Sequence, residues 1–398
     1  MSMKILISDG SYKNTLAILR TLGRRGKKYK LDILTPLPKF LTLATYSKYT
    51  NKVYRINMEN CEVYWKNLYK ILKNNKYSVF IPVGLKTYIM ASKYREYILK
   101  YTNALIPEWQ SMVVAYNKDL TMEFAKKIGI PIPDTIVLED NNLDEILDRI
   151  NKFPTVIKSS DIPGSCIKYC NNPEEIKKYY NYLKKISRTK IVLQEYIKGF
   201  GAGFYAVCFE GKIYAVFMHK RLKEFPITGG PSAVAKSYYD KRLFKYGKKI
   251  CKKLKWTGPL MAEFRYSYEN DEYYLIEINP KLWGSLDLTI TAGCNIPEVI
   301  IKLAMGGEVD PIKSYKDITF KWLFPDEFKV LMAGGESLKE FLKIDSKTYT
   351  NLDLKDPLPT FFQILRGLIE GTWVALNQNK KFPHGIPITW KCGQKRGR

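Results

Sequence analysis

The residues best suited by type and spacing to do chemistry lie between Glu263 and Asn279, in the segment LMAEFRYSY-ENDE-YYLIEINP. Glu277 and Asn279 stand two apart in an apolar run, so a strand here sends both side chains from one face. A turn centred on Asn270 folds the segment into a hairpin and sets Glu263 opposite Glu277. Directly opposed like charges weaken a sheet unless something positive lies between them. Two carboxylates and an amide oxygen on one face are hard ligands of the kind magnesium takes, with water and nucleotide phosphates completing its shell. Glu-x-Asn by itself fits an exposed polar strand face equally well. The second glutamate, correctly spaced among Leu260, Met261, Phe264, Leu275, Ile276 and Ile278, turns the reading toward a metal site.

Two further groups could serve a nucleotide. Lys158 ends the apolar strand FPTVIK, where an inward lysine is costly without an anion. The loop SSDIPGS follows it, with Ser159, Gly164 and Ser165 small enough for backbone amides to approach phosphate oxygens. Lys118, ahead of a helix, is a second point charge of this kind. Among 52 lysines, solvated surface residues remain an alternative for both. The third group is QEYIKG, residues 194 to 199, an apolar strand ending at glycine. Its backbone could bond an adenine edge while Tyr196 and Ile197 form an apolar wall, though a plain strand end reads the same.

Several chemistries are excluded. Only His219 and His384 exist, so a multi-histidine zinc centre is out, and no GxSxG elbow supports a serine triad. Seven scattered cysteines without a CxxC pair give no disulfide framework. No apolar run is long enough to span a membrane, and the short apolar N-terminal stretch reads as a strand rather than a leader, so a cytoplasmic setting is expected. The net charge of +26 comes mostly from lysine spread along the chain, with 13 arginines. Nucleic-acid readers concentrate arginine and cluster their charge. Lysine-rich codon usage, accompanied by abundant Ile, Asn and Tyr, accounts for it, with attraction of an anionic substrate as the other reading.

The elements that must position these residues follow from periodicity. Residues 1–110 alternate strand and helix: KILIS, a helix from Asn14 to about Arg25, KLDIL, a helix over 63–73, and VFIPVG. That pattern predicts a parallel sheet, without a GxGxxG dinucleotide turn. Residues 111–190 open on a helix capped by Asn117 and continue in short strands and helices. Residues 191–310 carry two hairpins, the first turning at the glycine of EGK and the second at ENDE, a lysine-rich helix over 242–253 and two closing helices. Residues 311–398 form a weakly patterned extension with a basic, frayed end, KCGQKRGR.

The order of these motifs resembles the ATP-grasp superfamily, which includes carbamoyl phosphate synthetase, biotin carboxylase and D-alanine–D-alanine ligase. EINPKLWGS and HKRLKEFPITGGPS are similar to a branch of carboxylate–amine ligases. The resemblance covers about residues 1 to 310 and implies a mixed α/β and α+β fold: an N-terminal parallel-sheet domain (1–110), a small lid subdomain (111–190) and a large subdomain with the metal site (191–310), the last two clamping ATP. It implies that Lys118 and Lys158 hold phosphates, that the loop from Ser159 through Gly164 to Ser165 closes over them, and that Glu195 and Ile197 offer backbone bonds to adenine beside Tyr196. Glu263, Glu277 and Asn279 would bind Mg2+, with Mn2+ as a substitute. Arg221 and Arg265 would meet phosphate or a substrate carboxylate, and Lys281 stands where many relatives have arginine. The implied reaction is ADP-forming ligation of a small-molecule carboxylate to an amine, with an acidic carrier or peptide as a further candidate partner. Phosphorylation of bicarbonate or carbamate is the alternative chemistry, and a basic ATP-binding module for nucleic acid the non-catalytic one. Oligomeric state stays open.

Overall fold

The computed structural model describes residues 2–159, 167–187, 190–312, 314–377, 381 and 383–384. It opens with β1 (Met3–Ile7), α1 (Lys13–Gly23), β2 (Tyr29–Thr35), β3 (Thr50–Arg55), α2 (Cys61–Asn75), β4 (Val79–Ile81) and α3 (Leu85–Lys93). The four strands are parallel in the order β3-β2-β1-β4. Ile5, Leu6 and Ile7 are wholly buried, as a strand covered by helices on both faces requires. Full burial stabilises by about 1.5–3 kcal/mol per large apolar side chain, so the uninterrupted apolar run is what makes this strand central. Connections leave β1 and enter β4 on opposite sides of the sheet, a switch point where α/β folds bind ligands.

Next come α4 (Arg95–Leu99), α5 (Trp109–Tyr116) and α6 (Lys118–Lys127). Asn117 sits at the N-cap of α6, but its amide donates to the Val113 carbonyl at 3.0 Å and caps nothing. A small antiparallel sheet follows: β5 (Thr135–Leu138), α7 (Leu143–Arg149), β6 (Thr155–Ser159), β7 (Ile167–Cys170), α8 (Pro173–Ile186) and β8 (Ile191–Glu195), in strand order β5-β8-β6-β7. Leu143 of α7 and Ile176, Tyr180 and Leu183 of α8 share its core with Ile157 and Leu193. Asn172 caps α8 by accepting from the Glu175 amide, and Pro173 at the first turn needs no partner for a missing N–H.

The large sheet is built from β9 (Gly199–Phe209), β10 (Lys212–Glu224), β11 (Ser232–Ser237), α9 (Lys241–Lys253), β12 (Gly258–Ser267), β13 (Glu272–Asn279), α10 (Leu286–Thr291), α11 (Ile296–Ala304) and β14 (Thr319–Lys321). After β14 come α12 (Phe328–Met332), α13 (Leu338–Leu342), β15 (Thr348–Thr350) and α14 (Pro357–Leu376). The seven strands run β13-β12-β9-β10-β11-β14-β15, antiparallel except for the last pair. The stretch after residue 310, for which the sequence pattern promises no definite element, therefore extends this sheet by two strands and adds a helix of 20 residues. One face of the sheet packs α9 through Leu243 and Ile250. The other joins α10 and α11 to the parallel sheet through Val207, Phe217, Trp283 and Ile300.

Candidate functional site

The site's frame is the β12–β13 hairpin. Near its turn, Arg265 faces Tyr274 and Phe264 faces Leu275; Ile276 is then an extra, bulged residue, and beyond it Glu263 faces Glu277 and Met261 faces Asn279. The bulge restores the pairing that a turn centred on Asn270 predicts. Glu277 and Asn279 leave the same face, and the Asn279 amide donates to Glu277 Oε1 at 2.7 Å. Burial pushes the Glu263 carboxyl above its ordinary range; the Arg221 guanidinium pulls it down and Glu277 adds to the rise.

Four cations surround these acids. Lys118, at the start of α6, holds its Nζ 3.9 Å from Glu277 Oε2. Lys158, second from the end of β6, is 5% exposed, and its Nζ donates to Gln194 Oε1 on neighbouring β8 at 2.8 Å. Arg221 on β10 reaches Glu263 at 2.6 Å, Glu224 at 3.1 Å and the Gly230 carbonyl at 3.1 Å. Burial alone would lower the Arg221 pKa, but Glu263 and Glu224 hold it above its ordinary value. Lys281, just past β13, is lowered by burial, against the pull of Glu277, Glu263 and Asp9. Glu277 shows the converse balance: burial would raise it, yet Lys118, the Asn279 amide and Lys158 keep it below its ordinary range.

Burial, with Lys118 adding repulsion, pushes Lys158 down to about 8 from its ordinary value near 10.5, against Glu277 and Glu263. Between these two values the unfolded chain binds more protons than the folded one, so nucleotide-free stability rises with pH there. Lys158→Met removes the buried charge and is expected to be about 1–3 kcal/mol more stable than wild type at pH 7. That gap should close as pH rises from about 8 toward 10.5. Urea unfolding at both ends of the window measures it, and a gap that does not change with pH contradicts the assignment.

The hinge between the two antiparallel sheets is held from below. Gly199 opens β9 where a Cβ would lie 1.6 Å from the Tyr266 carbonyl, so no other residue fits there. Arg265 Nε donates to the Ile197 carbonyl at 2.8 Å and Nη2 to that of Gly199 at 3.1 Å, with the guanidinium carbon 5.8 Å from the Tyr196 ring centre. The Glu195 amide donates to the Asp134 carbonyl. Arg265 thus sits at the hinge rather than among the cations around Glu277. The Ser159 hydroxyl is buried without a hydrogen-bond partner among the described residues. Gly164 and Ser165 lie outside the described residues.

Sequence reasoning missed three features. Glu224 is the second carboxylate on Arg221, and only its place three residues further along HKRLKE hints at it. His219 Nε2 lies 2.6 Å from the Tyr205 hydroxyl and 2.8 Å from that of Ser285. Burial and Arg221 lower its pKa to about 3, so the imidazole is neutral and braces the strand beneath Arg221. Asp9, just past β1, has φ +57° and accepts from the Gly84 amide and the Thr87 hydroxyl, both at 2.8 Å, and from the Ser8 hydroxyl. It lines a cleft of about 750 Å³ with Tyr12, Arg55, Asn57, Glu59 and Lys86 at the carboxyl ends of the parallel strands. The Asn14 amide bonds the Leu282 carbonyl at 3.1 Å and joins this end of the sheet to the segment following Asn279.

Among the described residues no helix is long and apolar enough to cross a membrane. Residues 187–324 match the family described as ATP-grasp in the biosynthetic pathway with Ter operon. The chain is 26% identical over 203 residues to the carbamoyl phosphate synthase large chain of Clostridium acetobutylicum, covering 48% of this chain and 19% of that protein. It is 30% identical over 195 residues to a D-alanine–D-alanine ligase of Helicobacter pylori, covering 45% of this chain and 55% of that one. The chain thus spans about a fifth of the first relative and just over half of the second. In fold it is similar to N5-carboxyaminoimidazole synthetase of Staphylococcus aureus complexed with ADP, with a TM-score of 0.65 at 15% identity over 85% of this chain and 87% of the other.

Proposed function

Since the chain belongs to the ATP-grasp superfamily, we propose that it is an ADP-forming ligase that activates a small-molecule carboxylate as an acyl phosphate and couples it to an amine. The observation that carries this reading is the convergence of Lys118, Lys158, Lys281 and Arg221 on the face bearing Glu263, Glu277 and Asn279. Such a mixed cluster suits a polyphosphate bridged by a cation better than a neutral ligand. Among the described residues no group of three His, Cys, Asp or Glu side chains could hold a metal, so the third ligand would have to be the Asn279 amide oxygen. The two facing carboxylates and the amide oxygen are hard donors of the kind magnesium prefers, so Glu263, Glu277 and Asn279 would hold it. When bound there, magnesium would spread the charge of the transferring phosphoryl group.

In this reading Lys118 and Lys158 hold the inner phosphates between the two antiparallel sheets, and backbone groups of Glu195 and Ile197 take the adenine edge. The substrate carboxylate attacks the γ-phosphorus, ADP departs, and the amine then displaces phosphate through a tetrahedral intermediate. Arg221 and the Gly230 amide are the oxyanion donors, the Gly229 amide being engaged by the Pro226 carbonyl at 3.0 Å. The Asp9 cleft supplies the substrate's other end. Its position at the switch point of the parallel sheet and its charge acting on Lys281 support that role.

With an 18O-labelled carboxylate, one label is expected in released phosphate, with ADP as the nucleotide product. AMP with pyrophosphate, or unlabelled phosphate during verified ligation, overturns the mechanism. In the same reading Lys158→Met weakens ATP by roughly 10–100-fold, the worth of one charge-assisted contact, and leaves adenosine binding unchanged.

A further inference from the structure

Tyr169 crosses from one antiparallel sheet to the other. It stands on β7 opposite Val156, at the edge of the small sheet, and is 9% exposed. Its hydroxyl donates to the Thr228 carbonyl at 2.8 Å, in the loop of residues 225–231 that joins β10 to β11. Gly229 makes room for this contact: its φ is +142°, and a Cβ there would stand 2.7 Å from the Tyr169 oxygen. The ring meets the Tyr196 ring edge-on at 5.5 Å, so the tyrosine touches the hinge as well. Arg265 and Glu224 lie within electrostatic reach of its phenol, which burial raises above its ordinary range, so the O–H stays in place to donate. The backbone is held from the far side, where the Tyr169 amide donates to the His384 carbonyl at 2.8 Å.

The loop that Tyr169 grips has the make-up of a binding loop. The Phe225 amide closes it on the Pro231 carbonyl at 3.1 Å, and the Gly230 carbonyl takes Arg221, whose other bonds go to Glu263 and Glu224. The Thr228 hydroxyl is buried and has no hydrogen-bond partner among the described residues. A buried donor left unspent is costly unless a ligand takes it. We propose that Tyr169 is a positioning residue: it latches the small sheet to this loop, so that closure on the nucleotide sets Thr228, Gly229 and Gly230 for the acyl-transfer step. This rests on the ligase reading, in which the nucleotide lies between the two sheets. Phosphoryl transfer and amine attack are separate steps, and an acyl phosphate formed beside a slack loop meets water in place of the amine. One hydroxyl joins the two steps. The sheet that carries Lys158 cannot lift from the phosphates without drawing on the Thr228 carbonyl, which shares a rigid peptide plane with the Gly229 amide.

Amide hydrogen exchange of the full chain, with MgADP as the probe, tests the latch. Tyr169→Phe keeps the ring against Tyr196 and removes the bond to Thr228 alone. Exchange over residues 225–231 of the nucleotide-free protein is expected to rise roughly 5–10-fold in the variant, the worth of one hydrogen bond. Amides of the β12–β13 hairpin should exchange as in wild type. Saturating MgADP should slow the loop in wild type by roughly the same factor and leave it unslowed in Tyr169→Phe, although the variant still binds the nucleotide. A bond that merely stiffened the loop would let MgADP slow both proteins alike. Equal exchange in the two free proteins, the same slowing by MgADP in both, or a rise that extends over the hairpin overturns the proposal. A wild type that binds no MgADP overturns the ligase reading instead, and the two free proteins still decide the latch.

Discussion

Glu277→Gln is expected to lower ADP formation by roughly a thousandfold while the protein stays folded, with a modest loss of melting temperature because folding favours the charge that is removed. The substitution keeps the shape of the side chain and its contact with Asn279, so β13 and its bulge lose no packing. What disappears is the negative charge that Lys118, the Asn279 amide and Lys158 together hold ionised against burial. Without it, Lys118, Lys158 and Lys281 face one anion fewer, so metal-free nucleotide should bind no more weakly than to wild type. Binding and turnover therefore separate, as they do when a group acts chiefly on the transition state. Titration of the variant with ADP, beside turnover at saturating magnesium, gives both quantities. Wild-type turnover would remove Glu277 from the proposed metal site, and a large loss of nucleotide affinity would make it a binding residue instead.

Arg221→Leu should cost about 3–5 kcal/mol of stability, because it strands two carboxylates that share one buried guanidinium. Glu263 and Glu224, 18% and 16% exposed in the wild type, then have no other ion-pair partner among the described residues. Adding Glu224→Gln removes one stranded charge and is expected to return a substantial part of the loss, so the double variant shows non-additivity of a coupled network. Urea unfolding of the two single variants and the double reads this directly. A single-variant loss under about 1 kcal/mol, in the range of an ordinary substitution, would mean that solvent already compensates the acids.

The legible part of this molecule is local. The facing of Glu263 and Glu277 follows from a short hairpin, and β1 and β6 from apolar runs whose burial leaves no other reading. The glycine of QEYIKG is required by the crossing of β9 and β12, a constraint that the sequence marks without explaining. What was not legible depends on partners far along the chain. Asp9 is positioned by Gly84 and Thr87, and Arg265 by Ile197 and Gly199, neither of which any periodicity reports. β14 and β15 have three residues each and are strands only because β11 offers β14 an edge and β14 offers one to β15. α14 reads as featureless because its apolar residues face outward and its glycines inward, the reverse of the usual signal.

The extra residue at Ile276 separates two registers within one hairpin, one serving the turn and one serving the acids. Residues 268 to 271 lie beyond the last ladder pair, Ser267 with Glu272, so insertions and deletions there leave Glu263 facing Glu277. Between Ser267 and Glu263 five residues of β12 face six of β13, so loss of one residue between Glu272 and Glu277 would consume the bulge and leave Glu263 facing Glu277; a second loss would break the register and turn the acids to the other face. One bulged isoleucine thus insulates the acids from a change of one residue in the length of their own strand.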